Sequence, residues 1–154
     1  MMSPAARSWV RSGRAPVGVR FFEHTADTGI EVRAQTLALC FARAAAGMFA
    51  CFTAPRGPNS PRSSVEVDVT ADGLGELLVA WLEELLYQSE VKGLAFHEFS
   101  GAAVSKMHLH GSARGVRFGR HAETTGPAVK AVTRHGLEVA HRDGCWRARL
   151  IFDV

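Results

Sequence analysis

The sequence predicts an α+β fold in which two amphipathic helices pack on mixed or antiparallel β-sheets. Strand-like segments and helical segments do not alternate regularly enough for a parallel βαβ sheet. Two segments have apolar residues at spacings of three and four, as a helix with one buried face requires. The second half of the chain alternates apolar and polar residues between turn-forming residues, which is typical of antiparallel strands.

Two strands and a helix are predicted at the start of the domain. Residues 17–22 are rich in strand-forming types, and residues 30–33 alternate apolar with polar side chains. Residues 24–29 lie between them and contain Thr, Asp and Gly, which predicts a loop. Thr36 stands where a helix N-cap belongs. The apolar face of this first helix consists of Leu37, Phe41, Ala44, Ala45, Met48 and Phe52.

A loop, a strand and the second helix follow. Residues 54–64 are rich in Pro, Ser, Gly and Arg and are predicted to form an exposed loop, whereas residues 65–69 alternate valine with acidic residues as a half-buried strand does. Asp72 stands at an N-cap position. The helix after it has the clearest apolar face in the chain, and its members are predicted to be core residues: Leu74, Leu77, Leu78, Trp81, Leu82, Leu85 and Leu86.

The last part of the chain is predicted to be mostly β. Residues 94–100 and 104–112 are candidate strands on either side of a turn at Gly101. Residues 129–140 and 146–152 form a predicted hairpin, because the Asp-Gly pair just before the last strand is a strong hairpin signal. In the last strand one face is formed by Trp146, Ala148, Leu150 and Phe152, and the other by Arg147, Arg149, Ile151 and Asp153.

Length and charge indicate one domain with a basic N-terminal tail. The chain has 154 residues, which suits a single core. Residues 1–20 hold four arginines and no acidic residue, so the remainder has 14 basic against 15 acidic residues. We therefore predict a disordered basic tail over residues 1–19 and a folded domain over residues 20–154. The basic charge is assigned to the tail, which weakens a nucleic-acid-binding interpretation of the fold itself.

The sequence also predicts the cellular compartment and the role of the cysteines. Arginines interrupt every apolar stretch of the first 20 residues, so no secretory signal is predicted, and no window is long enough for a membrane span. We expect a cytoplasmic protein. The three cysteines have no Cys-x-x-Cys spacing, which disfavours structural zinc and a disulfide framework. Cys40 and Cys51 are interpreted as small core residues.

Asp27 and Asp153 are candidate ligands of a hard cation. Asp27 lies in a predicted turn, where its carboxylate can point away from the backbone ladder, and Asp153 ends an apolar strand just before Val154. Calcium binds several oxygens, often mixing carboxylates with main-chain carbonyls. If the last strand pairs near residues 22–32, the two aspartates meet, and Val154 adds oxygens beside them. The residues alone leave the alternative of a solvated turn and a solvated chain end open.

Other candidate sites are less specific. His108 and His110 are two residues apart in a predicted strand and could bind a soft transition metal, although such histidines are more often surface residues. His24 precedes the Asp27 turn and could support it. The sequence contains no Gly-x-Ser-x-Gly elbow and no glycine-rich phosphate loop with lysine, so a self-contained nucleotide-using enzyme is not supported.

Four segments together resemble the archease family. They are residues 24–30 (His-Thr-Ala-Asp-Thr-Gly-Ile), residues 78–87 (the second helix), residues 129–135 (Val-Lys-Ala-Val-Thr-Arg-His) and residues 150–154 (Leu-Ile-Phe-Asp-Val). Their order and spacing agree with the family over about residues 20–154. The first and last motifs carry most of the specificity.

The resemblance implies a protein cofactor with no catalysis of its own. Archeases are partners of RtcB-type tRNA-splicing RNA ligases; they promote guanylylation of the ligase's active-site histidine, allow multiple turnover and broaden nucleotide use. RNA would then be met only through the ligase. The family binds Ca²⁺ or a similar hard divalent cation, and the matching positions here are Asp27, Asp153 and Val154. Lys130 and Thr133 match the family motif, whereas Thr28 and Arg134 depart from it, and Arg134 stands where the family more often has an aromatic residue.

Three alternatives remain open from the sequence. The chain could be a general chaperone or modulator of nucleic-acid-processing enzymes without a dedicated ligase. It could be a metal-dependent hydrolase using Asp27, Asp153 and a histidine, although it lacks an evident nucleophile or base. Direct RNA binding through the basic tail predicts an affinity that falls steeply with salt and disappears without residues 1–20.

Overall fold

The computed structural model describes residues 9–11, 16–24, 27–57 and 60–154, and within them all side chains except those of residues 10, 11, 24, 102 and 103. The helices are α1 (Leu37–Ala50) and α2 (Leu74–Lys92). The strands are β1 (Val10–Arg11), β2 (Val19–His24), β3 (Asp27–Ala34), β4 (Thr53–Pro55), β5 (Ser63–Thr70), β6 (Leu94–Val104), β7 (His108–Arg117), β8 (Ala122–Thr124), β9 (Ala131–Arg142) and β10 (Cys145–Asp153).

The strands form two four-stranded sheets and a small two-stranded one. The β6 sheet has the order β1-β6-β7-β5, the β3 sheet has the order β2-β3-β10-β9, and β4 pairs with β8. Every pairing between these strands is antiparallel. The predicted α+β class is therefore confirmed.

Helix α1 lies in the middle of the molecule and contacts both large sheets. Its N-cap is Thr36, as predicted, and the Leu39 N–H donates to Thr36 Oγ1 at 3.1 Å. Nine of the 14 residues of α1 are buried, four of them alanines, and none of the others is fully exposed, so neighbouring elements surround the helix. At Gly47 a Cβ atom would lie 2.9 Å from Val19 and 3.0 Å from Ile30, which shows how closely α1 packs on the β3 sheet.

Helix α2 completes the core, and its buried residues include five of the seven predicted core positions, whereas Leu74 and Leu86 are half-buried. Trp81 is fully buried, and its indole N–H donates to the Phe41 carbonyl of α1 at 3.0 Å. The predicted cap at Asp72 is wrong. Gly73 occupies the N-cap with a φ of 96°, a conformation that favours glycine, and no side chain caps this helix.

Two predicted boundaries in the β regions are corrected. Gly101 lies inside β6 instead of in a turn, where the register with β7 shifts and a Cβ atom would meet the Ala38 carbonyl oxygen at 2.9 Å. The glycine therefore marks a bulge and a close approach to α1. The predicted loop 54–64 begins with the end of β4 and ends with the start of β5.

The final hairpin is confirmed. Strands β9 and β10 are joined by a two-residue turn in which Asp143 has a φ of 53° and Gly144 a φ of 72°. This is the left-handed backbone that two-residue hairpin turns use. The inward face of β10 includes the fully buried Leu150 and Phe152, so the predicted facing of this strand is correct as well.

Part of the predicted tail is described. Strand β1 pairs with β6, and Arg114 lies 4.1 Å above the Trp9 ring. Residues 1–8 and 12–15 lie outside the described residues, and the domain boundary at residue 20 stays a prediction.

Cys40 is buried, as predicted, Cys51 is half-buried, and all three cysteines are free. Burial raises the pKa of the Cys40 and Cys51 thiols to about 12. Among the described residues, no helix is long and apolar enough to cross a membrane.

Candidate functional site at one end of the β3 sheet

Asp27 and Asp153 lie at the same end of two neighbouring strands. Strand β10 pairs with β3 from Trp146–Ala34 to Phe152–Thr28, and each aspartate is the next residue beyond this last pair. Because side chains alternate along a strand, both carboxylates belong to the face opposite buried Phe152, which is the outer face of the sheet. The strand pairing on which the predicted cation site depends is therefore present.

Strands β2 and β3 extend further toward each other along the chain than predicted. Strand β2 ends at His24, which is paired with Asp27, the first residue of β3. The predicted loop over residues 24–29 is wrong at residues 24 and 27–29, because His24 belongs to β2 and the last three residues belong to β3. Residues 25 and 26 and the His24 side chain lie outside the described part of the chain, so the supporting role of His24 stays a prediction.

Strand β9 adds the other side of this end of the sheet. Asp153 lies opposite Ala131, and the Lys130 N–H donates to the Asp153 carbonyl oxygen at 2.7 Å. Thr133 lies opposite Ile151, and its Oγ1 is buried without a hydrogen-bond partner among the described residues. The half-buried Val154 packs against the core. This packing and the Lys130 hydrogen bond hold the end of β10 in place.

Next to the aspartates on the outer face, Phe22 lies across Gly29. The two residues are opposite each other on β2 and β3, and a Cβ atom at Gly29 would lie 2.2–2.7 Å from carbons of the Phe22 ring. The Arg149 guanidinium lies 4.5 Å from the centre of the same ring. Gly29 is therefore needed for close approach of an aromatic ring, which corrects its interpretation as a turn residue.

We expect Gly29→Ala to lower the free energy of unfolding by about 1–3 kcal/mol, because the new methyl group overlaps the Phe22 ring and forces it out of place. Denaturant unfolding of both proteins measures the change. In a Phe22→Ala background the same substitution should cost almost nothing, since the ring is gone. An equal loss in both backgrounds would show that Phe22 is not the reason for the glycine.

The donors at this end of the sheet suit a hard cation. Two carboxylates and the main-chain oxygens of residues 153 and 154 are oxygen ligands of the kind Ca²⁺ takes, and water would have to complete the coordination. Asp27 is half-buried and Asp153 is exposed, so solvent reaches the pair. Among the described residues, no group of three or more His, Cys, Asp or Glu side chains is arranged to hold a metal ion.

The two histidines of β7 are occupied by carboxylates on β5. His108 Nε2 lies 2.7 Å from Asp68 Oδ1, and His110 lies between Asp68 Oδ2 at 3.3 Å and Glu66 Oε2 at 3.1 Å. The hydrogen bonds from these histidines hold the pKa of Asp68 below its ordinary value. Contacts with Asp68 and Glu66 therefore account for the positions of both histidines.

The model of the archease protein family matches residues 20–154, which include both aspartates and all of the β3 sheet except Val19. The chain belongs to the archease family. It is 34% identical to the protein archease of Pyrococcus furiosus over 139 residues and 33% identical to that of Methanopyrus kandleri over 135 residues. Each match covers 86% of this chain and 96% of the relative.

Solved structures of the family share the fold. The solution structure of protein 1598 of Methanobacterium thermoautotrophicum has a TM-score of 0.66 at 30% identity and covers 89% of this chain and 99% of its own. The crystal structure of a Thermotoga maritima archease, described as a possible chaperone, has a TM-score of 0.60 at 16% identity, with coverages of 86% and 94%. The second likeness concerns the fold alone.

The departure from the archease motif at Arg134 has a structural explanation. Its guanidinium forms two hydrogen bonds to the Glu76 carboxylate, at 2.8 and 2.9 Å, and so connects β9 with the first turn of α2. The hydrogen bonds lower the pKa of Glu76 and raise that of Arg134. The Arg134–Glu76 ion pair is exposed, so its strength depends on salt.

Sequence reasoning missed a set of arginines on the outer face of the β3 sheet. The net charge of the domain without the tail is close to zero, and this sum does not show that arginines are concentrated on one face. The signal was present in Arg147 and Arg149, which are two residues apart in a strand and therefore share a face.

Proposed function

We propose that this archease is an accessory activator of an RtcB-type tRNA-splicing RNA ligase. It would promote ligase guanylylation and multiple turnover through an acidic cation-binding tip, which consists of Asp27, Asp153 and Val154. In this proposal the protein has no catalysis of its own. The observation that carries the proposal is the β3–β10 register, which brings Asp27 and Asp153 to one end and one face of the sheet although 125 positions separate them in the chain.

Asp27, Asp153 and the main-chain oxygen of Val154 would hold Ca²⁺ or another hard divalent cation. When bound, such a cation supplies positive charge that orients phosphate oxygens. The chain's own contribution is positional. Two paired strands and the Lys130 hydrogen bond fix the aspartates relative to each other, and their exposure at the sheet end lets the tip approach a partner's active site.

Asparagine at either position tests the proposal, because Asp27→Asn and Asp153→Asn keep side-chain size and remove the charge. We expect each variant to lose most of the stimulation of multiple-turnover ligation, measured with an RtcB-type ligase, RNA ends and GTP. Asp72→Asn is the matched control, since Asp72 is exposed, lies on another surface and does not cap α2. Full stimulation by both folded tip variants would contradict the proposed function.

Cation binding is measured separately on the isolated protein. Adjacent carboxylates on neighbouring strands repel each other, so a bound cation should raise the unfolding temperature of the wild type. In Asp27→Asn and Asp153→Asn the shift caused by Ca²⁺ should be absent, while Asp72→Asn should behave like the wild type. An unchanged calcium shift in both tip variants would place the cation elsewhere.

A general chaperone is the alternative, favoured by the description of the Thermotoga maritima relative as a possible chaperone. It predicts that the protein suppresses aggregation of unrelated unfolded proteins and that this effect is the same in Asp27→Asn. Our proposal predicts that a ligase is the dominant protein captured from the native cell and that capture weakens in the tip variants.

A further inference from the structure

An arginine-rich pocket lies on the outer face of the β3 sheet, toward the end away from Asp27 and Asp153. It has a volume of about 180 Å³ and is open to solvent. The charged side chains that line it are Arg33 and Glu31 of β3, Glu138 and Arg142 of β9, and Arg147 and Arg149 of β10. Four guanidinium groups therefore face two carboxylates.

Both carboxylates are already engaged with arginines. Glu31 Oε2 lies 2.7 Å from Arg20 of β2, and its Oε1 lies 3.8 Å from Arg149. Glu138 Oε1 lies 2.7 Å from Arg142. Their charge is thus largely balanced by partners at the edges of the pocket, which leaves its centre positive.

Arg33 and Arg147 form that centre. They are directly opposite each other on β3 and β10, and like charges in this position destabilise a sheet. Neither has a carboxylate within ion-pair distance among the described residues, and the Arg147 Nε is buried without a hydrogen-bond partner there. An anion bound between the two guanidinium groups would balance these opposed like charges.

Arg149 beside them is held in place. Its guanidinium rests against the Phe22 ring at 4.5 Å and lies next to Gly136, where a Cβ atom would meet its Nη1 at 2.3 Å. An arginine fixed by stacking loses less freedom on binding than a free one. Planar guanidinium groups bind phosphate oxygens with two parallel hydrogen bonds.

We propose that this pocket binds one phosphate group of a nucleotide or of an RNA strand. The volume is below the roughly 300 Å³ at which sites for whole small molecules begin, so a single phosphate enters and the rest of the ligand lies along the sheet. This inference does not depend on the ligase or on the cation tip.

The test uses the full chain and two probes, inorganic phosphate and a short single-stranded oligouridylate. Fluorescence anisotropy with labelled oligouridylate at low salt should give binding that Arg33→Gln and Arg147→Gln each weaken by about tenfold or more. Each variant should also reduce the slope of log affinity against log salt by roughly 0.7. Arg120→Gln is the matched control, because Arg120 is an exposed turn arginine outside the pocket and should bind like the wild type.

Thermal unfolding with inorganic phosphate distinguishes a free phosphate or nucleotide from RNA as the ligand. The same measurement shows whether the variants are folded. At equal ionic strength phosphate should raise the unfolding temperature of the wild type more than chloride does, and this difference should be absent in Arg33→Gln and Arg147→Gln. Without phosphate, Arg33→Gln should be at least as stable as the wild type, because the opposed like charge is gone. If phosphate raises the unfolding temperature and oligouridylate does not bind, the pocket is assigned to a free nucleotide or phosphate. If oligouridylate binds more tightly than inorganic phosphate does, the pocket is assigned to RNA.

Two results would overturn the inference. In the first, the wild type and both pocket variants bind each probe with the same affinity. Any RNA binding would then be assigned to the arginines of residues 1–20. The other is a destabilised Arg33→Gln whose phosphate response is intact, which would make Arg33 a structural residue of the sheet.

Discussion

Replacing Trp81 with alanine is expected to lower the free energy of unfolding by about 3–5 kcal/mol, the range for truncating a large aromatic residue in a core. Trp81 is fully buried, and its ring lies against Gly111 of β7, where a Cβ atom would approach within 2.8 Å. Its indole N–H also joins α2 to the Phe41 carbonyl of α1. The substitution therefore removes packing and a hydrogen bond at the point where both helices meet the β6 sheet.

Denaturant unfolding of Trp81→Ala and of a control on the same helix measures this effect. Tyr87→Ala is the matched control, because the Tyr87 side chain is 60% exposed and its removal should change stability by no more than about 0.5 kcal/mol. A Trp81→Ala protein that unfolds within 1 kcal/mol of the wild type would show that the core closes around the lost ring.

Glu98→Gln is expected to lower the free energy of unfolding by about 3 kcal/mol at neutral pH. Glu98 is fully buried in β6, where Arg114 donates to its Oε2 at 2.8 Å and Arg62 lies 2.8 Å from its Oε1. Breaking a buried ion pair costs about 3–5 kcal/mol. The lower end applies because both arginines keep some contact with water.

The effect should depend on pH in one direction. Burial alone would raise the pKa of Glu98, but the hydrogen bond and charge of Arg114 and the charges of Arg62 and His97 outweigh it and hold the pKa below its ordinary value. The stabilisation is therefore fully present above the unfolded pKa of about 4.3 and disappears as the pH falls through the lower folded pKa.

Urea unfolding of wild type and Glu98→Gln across this range measures the loss. The two proteins should differ most above about pH 5 and converge as Glu98 becomes protonated in the wild type. Glu31→Gln is the control, since Glu31 is in exposed ion pairs whose loss changes stability by about 1 kcal/mol or less. A constant difference between wild type and Glu98→Gln down to strongly acidic pH would mean that Glu98 stabilises the fold through packing instead of charge.

Local pattern made much of this fold predictable. The spacing of apolar residues located both helices, and Thr36 marked the start of α1, because helix periodicity and capping depend on residues only a few positions apart. Asp143-Gly144 located the final hairpin for the same reason. Where a glycine had two possible roles the prediction failed: Gly29 and Gly101 are positions of close approach, and only the residues that pack on them distinguish that role from a turn.

The sequence by itself determined the α+β class, the amphipathic faces and the archease motifs that contain Asp27 and Asp153. Only the tertiary structure decided which strands that are far apart in the chain are neighbours. Pairing between strands far apart in the chain depends on the register chosen by the whole core, and no local pattern specifies it. That register brings Asp27 beside Asp153 and sets Arg33 opposite Arg147. The same long-range packing buries Glu98 between arginines from distant segments, so the charged features of this protein follow from its assembly.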